Sequence, residues 1–394
     1  MVKTGSLFSQ ILSLVDREVF GRIVRGLKAE KGAKGFSCWD QLVAMLFCQL
    51  AQAKSIREIE GGLRSCEGKL RHLGLKSAPK RSTLSYANAH RPWQAFEQLF
   101  YSLLEQVQGF APKKKFRFKN KLLSLDATIV ELCAEMFDWA RFRRSKGAVK
   151  LHLLLDHDGY LPVYACLTEG RRNELTVART LALPKGSIVV IDRGYVDYRL
   201  FKAWSAEGVF FVTREKRNAS ALRVEKRPIP KSAQGFILRD ELVMLEALTA
   251  GAKARQIIRR VVVWLEDKQQ ELVLLTNHFD LSARTIAAIY KERWQIELFF
   301  KALKQNLKVK TFVGTSANAV HIQIWTALIS MLLVKLLQFR SSMAWALSNL
   351  IALLRWNLFT YRDLWQWIDQ PFETPPDPGG AVQTMLNLDS MAAF

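Results

Sequence analysis

The chain has 394 residues, 49% apolar and 24% charged, enough for two or three domains and too hydrophobic for general disorder. Lysine and arginine number 58 against 36 aspartates and glutamates, a formal net charge of +22. That balance excludes a chain built for acidic solubility or for cationic ligands, and favours a polyanionic partner, either nucleic acid or an anionic membrane. The surplus is +7, +7, +7 and +1 over residues 1–111, 112–150, 151–304 and 305–394. One basic linker does not account for it, although Lys113 to Lys121 (KKKFRFKNK) is the densest run.

The N-terminus (MVKTGSLFSQILSLVDREVF) is amphipathic, is interrupted by Asp16, Arg17 and Glu18, and lacks the apolar centre of a signal peptide. Residues 36–108 carry a helical period. Asp40 is the expected N-cap of QLVAMLFCQLAQA, and two short helical stretches follow at Ser55 to Arg64 and Glu67 to Leu73. A Pro79-Lys80-Arg81-Ser82-Thr83 turn then opens a helix through His90, capped by Ser82 or Thr83. Short helices feeding a basic turn and a polar helix have the order of a helix-turn-helix module. On that reading Lys80 and Arg81 contact phosphates, while Ser85, Asn88 and Arg91 lie near base edges. The alternative is a plain helical bundle. The five cysteines form no CxxC, and no His sits at finger spacing, so no zinc site is expected and a reducing cytoplasm fits.

From residue 121 the period is that of strands. KLLSLDATIV carries Asp126, and LHLLLD and YLPVYACLT flank a His157-Asp158-Gly159 turn. Asn173 to Leu183 reads as a helix. SIVVID is an apolar strand, as expected of one buried on both faces, ending at Asp192. Residues 196–206 read as a helix and GVFFVT as another strand, which together predict a mixed sheet with helical cover. FILRDELVML, ARQIIRRVVVWLED and QELVLLTN predict a β-rich insertion at about 214–275. A long helix is expected from Leu281 to Leu307, with helices continuing to about Trp367 and a mobile Pro- and Gly-rich end. Ile322 to Val334 is the most apolar run. It is shorter than the ~20 residues a membrane span needs, so it reads as a core helix and leaves nucleic acid as the partner.

Metal-assisted phosphodiester chemistry requires carboxylates converging on hard cations. Asp126 lies inside an apolar strand, where a lone carboxylate is costly. Asp192 lies at the carboxyl end of the buried strand, where open sheets place ligands. Taken singly, each also fits a turn or capping role. In the helix that follows, Tyr290, Arg293, Lys301 and Lys304 fall within about 40° of Glu297, beside an apolar strip of Ile289, Ile296, Phe300 and Leu303. The acid there suits a metal and the cations suit phosphates, whereas a solvated helix with an Arg293–Glu297 pair is the plain alternative.

The pattern Tyr290, Arg293, Trp294, Ile296, Glu297, Phe300, Lys304 resembles the Y-R-E-K signature of the insertion-sequence-four family of DDE transposases. Asp126-Ala127-Thr128 and Ile191-Asp192-Arg193-Gly194-Tyr195 are similar to its two aspartate motifs. The resemblance covers about residues 118–340. It implies an α/β, ribonuclease-H-like mixed sheet with flanking helices and the β-rich insertion, in a catalytic domain at 112–365. A helical DNA-binding domain at 1–111 precedes it and a tail at 366–394 follows. It further implies cut-and-paste transposition. Asp126, Asp192 and Glu297 would hold two Mg²⁺ ions, with Mn²⁺ as the other candidate. Tyr290, Arg293 and Lys304 would grip double-stranded DNA beside the scissile phosphate, around a flipped base. The same resemblance implies a homodimer on paired ends and a cytoplasmic, nucleoid-associated protein with no membrane partner. Trp264 is the candidate for holding a displaced base, against plain sheet packing, and Trp294 is expected to pack. Glu174 either supports the metal site or caps a helix. The competing readings are a ribonuclease-H-like nuclease without strand transfer and an inactive DNA-binding relative.

Overall fold

The computed structural model describes residues 5–66, 68–113, 116, 118–133, 141–143, 146–216, 221–249, 252–307 and 312–373. The charged break near the N-terminus separates α1 (Leu7–Leu12) from α2 (Arg17–Gly26), because the Asp16 carboxylate accepts the Glu18 and Val19 N–H groups as a cap. Helix α3 (Cys38–Ala51) starts two residues before Asp40. Ser37 is its N-cap and Asp40 returns the bond in a capping box, so the expected Asp40 cap is corrected to the third helical position. After α4 (Ile56–Arg64) and a 3-10 turn at Leu70–Leu73 comes α5 (Arg81–His90). Its cap position is Lys80 with no side-chain bond, not Ser82 or Thr83. Helix α6 (Gln94–Gln108) completes this group.

A meander follows: β1 (Leu122–Cys133), β2 (Arg141–Arg143), β3 (Lys146–Asp156) and β4 (Leu161–Glu169). The helix expected at 173–183 is only the five-residue α7 (Glu174–Ala178), with Pro184 disfavouring helical backbone at the residue before it. Then come β5 (Ile188–Val190), α8 (Tyr198–Ala206), β6 (Phe210–Arg214), β7 (Ala221–Lys226), β8 (Ile237–Thr249), β9 (Ala252–Leu265) and β10 (Gln270–Thr276). The chain continues as α9 (Ala283–Glu292), α10 (Trp294–Asn306), α11 (Ala317–Arg340), α12 (Leu347–Asn357) and α13 (Leu364–Asp369). Helix α13 crosses the boundary expected at 365; residues 374–394 of the expected tail lie outside the described residues.

Among the described residues the strands form one sheet, ordered β2-β3-β1-β5-β6-β10-β9-β8-β7, with β4 also paired to β3. Strand β1 is antiparallel to β3 and parallel to β5, and β5 is parallel to β6. The β-rich stretch is not a separate body. Its last strand, β10, pairs antiparallel with β6, and the Thr276 hydroxyl donates to the Phe211 carbonyl at 2.6 Å. Ile188, Val189 and Val190 are fully buried, as a strand covered on both faces requires. Helix α8 packs on one face of β5 and β6, and α9 on the other. Residues of α1–α6 and α10–α13 share one further core with β1 and β3. At its centre lies α11, long and apolar enough to cross a membrane yet 94% buried over its most apolar window.

Candidate active site

Parallel pairing of β1 with β5 aligns Leu122 with Ile188 and Ser124 with Val190. Two residues further along each chain stand Asp126, inside β1, and Asp192, just past the carboxyl end of β5, side by side on strands spaced ~4.8 Å apart. Asp192 turns off the sheet: its Oδ1 accepts the Gly194 N–H at 2.6 Å, and its carbonyl accepts the Thr213 hydroxyl at 3.1 Å. A Cβ at position 194 would stand 2.8 Å from Asp192 Oδ1, so a larger residue there would displace that carboxylate.

Glu297 arrives from the helices. Sequence periodicity predicts one helix here, but the chain breaks at Arg293, which ends α9 and begins α10. Tyr290 is buried with α9, while Ile296, Phe299, Phe300 and Leu303 anchor α10. At the break the Arg293 guanidinium turns inward. Its Nη2 donates to Glu297 Oε1 at 2.5 Å, and its Nη1 lies 3.8 Å from Asp126 Oδ2. One cation therefore joins the first acid to the third. The Tyr290 hydroxyl is pushed up by burial and drawn back down by Arg293 and Arg214.

The acids are crowded and short of positive charge. Burial pushes the Asp126 carboxyl up to about 7, against the Ala127 N–H bond that lowers it; the Asp192 charge raises it further, Arg293 lowers it, and Glu174 raises it. Tyr195 has a buried hydroxyl with no hydrogen-bond partner among the described residues; burial, then the charges of Asp126, Glu174 and Asp192, push it up. Tyr195 closes the Ile191-Asp192-Arg193-Gly194-Tyr195 motif, and nothing in local sequence marks its hydroxyl as buried. Glu174 is not the cap of α7, a role taken by Asn173. It pairs with Lys150 at 3.2 Å, and its field reaches both Asp126 and Tyr195. Among the described residues no three acidic, His or Cys side chains stand close enough together to hold a metal ion. The structure brings Asp126 beside Asp192 and ties Asp126 to Glu297 through Arg293, without closing a ligand set.

Residues 117–333 match the family described as a transposase DDE domain, a span that contains all three acids. The chain belongs to the DDE transposase family. It is 32% identical over 260 residues, 66% of its length and 72% of the relative's, to a Sinorhizobium fredii protein named as a transposase (y4zB). It is 27% identical over 254 residues, 64% of its length and 66% of the relative's, to a Geobacillus stearothermophilus protein named as the transposase for insertion sequence element IS5377. It also resembles, at a TM-score of 0.45 and 11% identity over 94% of this chain and 82% of the other, a piggyBac transposase synaptic complex with hairpin DNA. Residues 3–76 match a domain of unknown function (DUF4372). The transposase acts in DNA transposition, with the divalent-metal nuclease chemistry of its family and DNA as its partner.

The cations expected on DNA are distributed unevenly in this transposase. Lys301 is exposed. The Lys304 ammonium instead donates to the Thr128 hydroxyl at 2.6 Å and the Ile129 carbonyl at 2.8 Å, fastening α10 to the strand that carries Asp126. Lys80 and Arg81 are exposed at the start of α5, and Arg81 shares an open cleft with Arg57, Ser55, Ser82 and Ser85. Two expected base-edge residues are corrected. Asn88 is buried, accepting from Gln41 Nε2 at 2.8 Å and donating to Met45 Sδ at 3.4 Å. Arg91 donates to the Ser37 carbonyl at 2.8 Å, the Gln41 side chain at 3.2 Å and the Phe36 carbonyl. Both hold α5 against α3. Trp264 is half-buried on β9, its indole N–H donating to Glu266 at 2.7 Å. Trp294, expected to pack, is 55% exposed at the first position of α10, on the side of the helix opposite the buried strip of Ile296, Phe300 and Leu303.

Proposed function

We propose that Asp126, Asp192 and Glu297 are the catalytic carboxylates of a ribonuclease-H-like core that holds two divalent ions, Mg²⁺ in preference to Mn²⁺. The order β4-β3-β1-β5-β6, with antiparallel pairs on one side of β1 and parallel pairs on the other, supports that fold. The observation that carries the reading is Arg293 held between Asp126 and Glu297 while Asp192 stands at the neighbouring strand end. Three hard oxygen donors, one raised to about 7 by burial, beside an orphaned tyrosine hydroxyl, form a set suited to hard cations. Bound ions supply charge neutralisation and an activated water for phosphodiester attack. The chain supplies position. Gly194 and Thr213 fix Asp192, Lys304 fixes the strand of Asp126, and the anchored α10 carries Glu297.

By its Y-R-E-K pattern the chain is an insertion-sequence-four transposase that cleaves the ends of its element and joins them to target DNA. Tyr290, Arg293, Lys301 and Lys304 lie along the DNA beside the scissile phosphate, with Arg293 leaving the acids for a phosphate once cations replace it. Residues 1–111 form the helical DNA-binding unit, with Lys80 and Arg81 on phosphates. Residues 112–365 form the catalytic unit and 366–394 a tail. Two copies act on paired ends, at the nucleoid in the cytoplasm.

The test is cleavage of end DNA by purified Asp126→Asn, Asp192→Asn and Glu297→Gln, alongside gel-shift binding and joining of a pre-cut end to plasmid. Each variant is expected to bind and neither cut nor join. Wild-type rates from any one would remove that residue from the site. Cutting without joining by the wild-type chain would make it a nuclease and refute this reading.

A further inference from the structure

A cavity of about 660 Å³ opens away from the acids. Its walls come from the chain leaving α6 (Phe110, Phe116), the β3–β4 turn (Tyr160), α11 (Lys335, Phe339) and the segment before α12 (Trp345). Most of this surface is apolar, and much of it aromatic. Lys335 stands out in it: a lysine only 9% exposed on a largely buried helix. Its ammonium donates to the Gly159 carbonyl at 3.2 Å and lies 5.9 and 5.6 Å from the ring centres of Tyr160 and Phe339.

An ammonium has three donors. One carbonyl takes one of them, and among the described residues no carboxylate stands within ion-pair distance of Lys335. The one acid in the cavity wall, Glu292, is already engaged. It accepts from the Tyr160 hydroxyl at 3.2 Å and lies 3.7 Å from His157 Nδ1. Burial lowers the Lys335 ammonium to about 8. A buried charge without a counter-charge is destabilising, and an apolar side chain would fill the helix position at less cost. The turn facing it is built closely. Gly159 has φ +72°, and a Cβ there would meet Phe339 at 2.7 Å and Ala111 at 3.0 Å, so only glycine brings its carbonyl to Lys335. A second cation, Lys113, stands exposed at the rim.

We propose that this cavity binds a small organic anion with a flat apolar body, its anionic group on Lys335 and its ring against the aromatic walls. An aryl or nucleoside phosphate has that chemistry, whether free in solution or as a nucleotide of a DNA strand. The site adjoins the catalytic helices, because Glu292 in its wall is the last residue of α9 and Arg293 follows. A ligand seated there touches the joint that sets where Arg293 points.

The experiment titrates phenyl phosphate into the purified full chain by calorimetry, with inorganic phosphate and phenol as separate arms. Saturable binding of phenyl phosphate is expected, with either half alone about tenfold weaker or more. Lys335→Met is expected to weaken it by about tenfold or more, and Lys335→Arg to retain it. Lys335→Met also raises the melting temperature of the free chain, since it removes an uncompensated buried charge. Tetrathymidylate that displaces phenyl phosphate identifies the source as a DNA strand; failure to compete identifies a free small molecule. Undiminished affinity in Lys335→Met, or no saturable binding to the wild type, overturns the proposal. Should Lys335→Met fail to fold, protection of Lys335 from amine acylation in the wild-type chain decides the case by mass spectrometry, and absence of protection by phenyl phosphate overturns it.

Discussion

Replacing Asp126 with asparagine separates what its charge does for folding from what it does for catalysis. The carboxyl is raised from its ordinary 3.8 to about 7 in the folded chain, with burial as the largest cause. A carboxyl with a raised folded value binds its proton more tightly folded than unfolded. Its contribution is therefore fully present below 3.8 and is lost as pH climbs through the interval to about 7. At 1.36 kcal/mol per pH unit that interval amounts to about 4 kcal/mol, an upper figure because the side chain keeps some solvent and Arg293 beside it. In chelator at about pH 8, Asp126→Asn should thus be more stable than wild type by about 2–4 kcal/mol, and about equal to it near pH 4. For a chain of this size that is a rise of several degrees, at about 2 °C per kcal/mol. The assay is thermal unfolding of both proteins across pH, read as a difference so that other titrating groups cancel. Adding millimolar Mg²⁺ or Mn²⁺ should reverse the order near pH 8. An ion at about a hundred times its dissociation constant adds about 2.7 kcal/mol to the wild type, and little to a variant short of one ligand. A variant that is less stable than wild type at pH 8 without metal, or a pH-independent difference, would refute the reasoning that Asp126 is a desolvated acid awaiting a cation.

Arg293→Met leaves Asp126 and Glu297 without their shared cation. With the three side chains 17%, 19% and 34% exposed, the loss falls between a surface and a buried pair, about 1–3 kcal/mol, greatest above pH 7 and reduced by divalent ions in a denaturation series. Lys304→Ala loses two charge-assisted bonds to β1 and should destabilise by about 1–2 kcal/mol. If Lys304 also reaches a phosphate, the slope of log affinity for end DNA against log salt falls by about 1, and an unchanged slope restricts it to holding the strand. Asn88→Ala removes one member of a buried amide pair and should cost about 1–3 kcal/mol in unfolding while leaving base preference unaltered; a shifted preference would restore Asn88 to the DNA surface.

Much of this site was legible because strand burial writes itself into local sequence. SIVVID is apolar without alternation, so a two-face-buried strand and the polar residue at its end were both readable, and the offset between Asp126 and Asp192 turns out to match the β1–β5 register. Ile289, Ile296, Phe300 and Leu303 likewise marked the packed side of the helices that carry Glu297. The misses share a different cause. Asn88 and Arg91 lie on a polar helix and look exposed until α3 brings Gln41 and the Ser37 carbonyl against them, a tertiary event with no periodic trace. The pairing of β10 with β6, more than 50 residues earlier in the chain, is likewise invisible to local periodicity.

The interruption at Arg293 keeps helical backbone angles (φ −52°, ψ −31°) and divides the expected single helix into α9 and α10. Nothing in YKERWQIELFF forbids a continuous helix: it contains neither proline nor glycine, and its apolar spacing runs unbroken from Ile289 to Leu303. What a helical wheel leaves out is the Asp126 carboxylate waiting on β1. Arg293 stands at the interruption with its charge between Asp126 and Glu297, and Trp294 beside it faces solvent. Arg293 and Glu297 stand four residues apart, a pairing a regular helix keeps, so the contact particular to this site is the reach of Arg293 to Asp126 on β1. Whatever neutralises the acids in place of Arg293 therefore frees its guanidinium from both carboxylates.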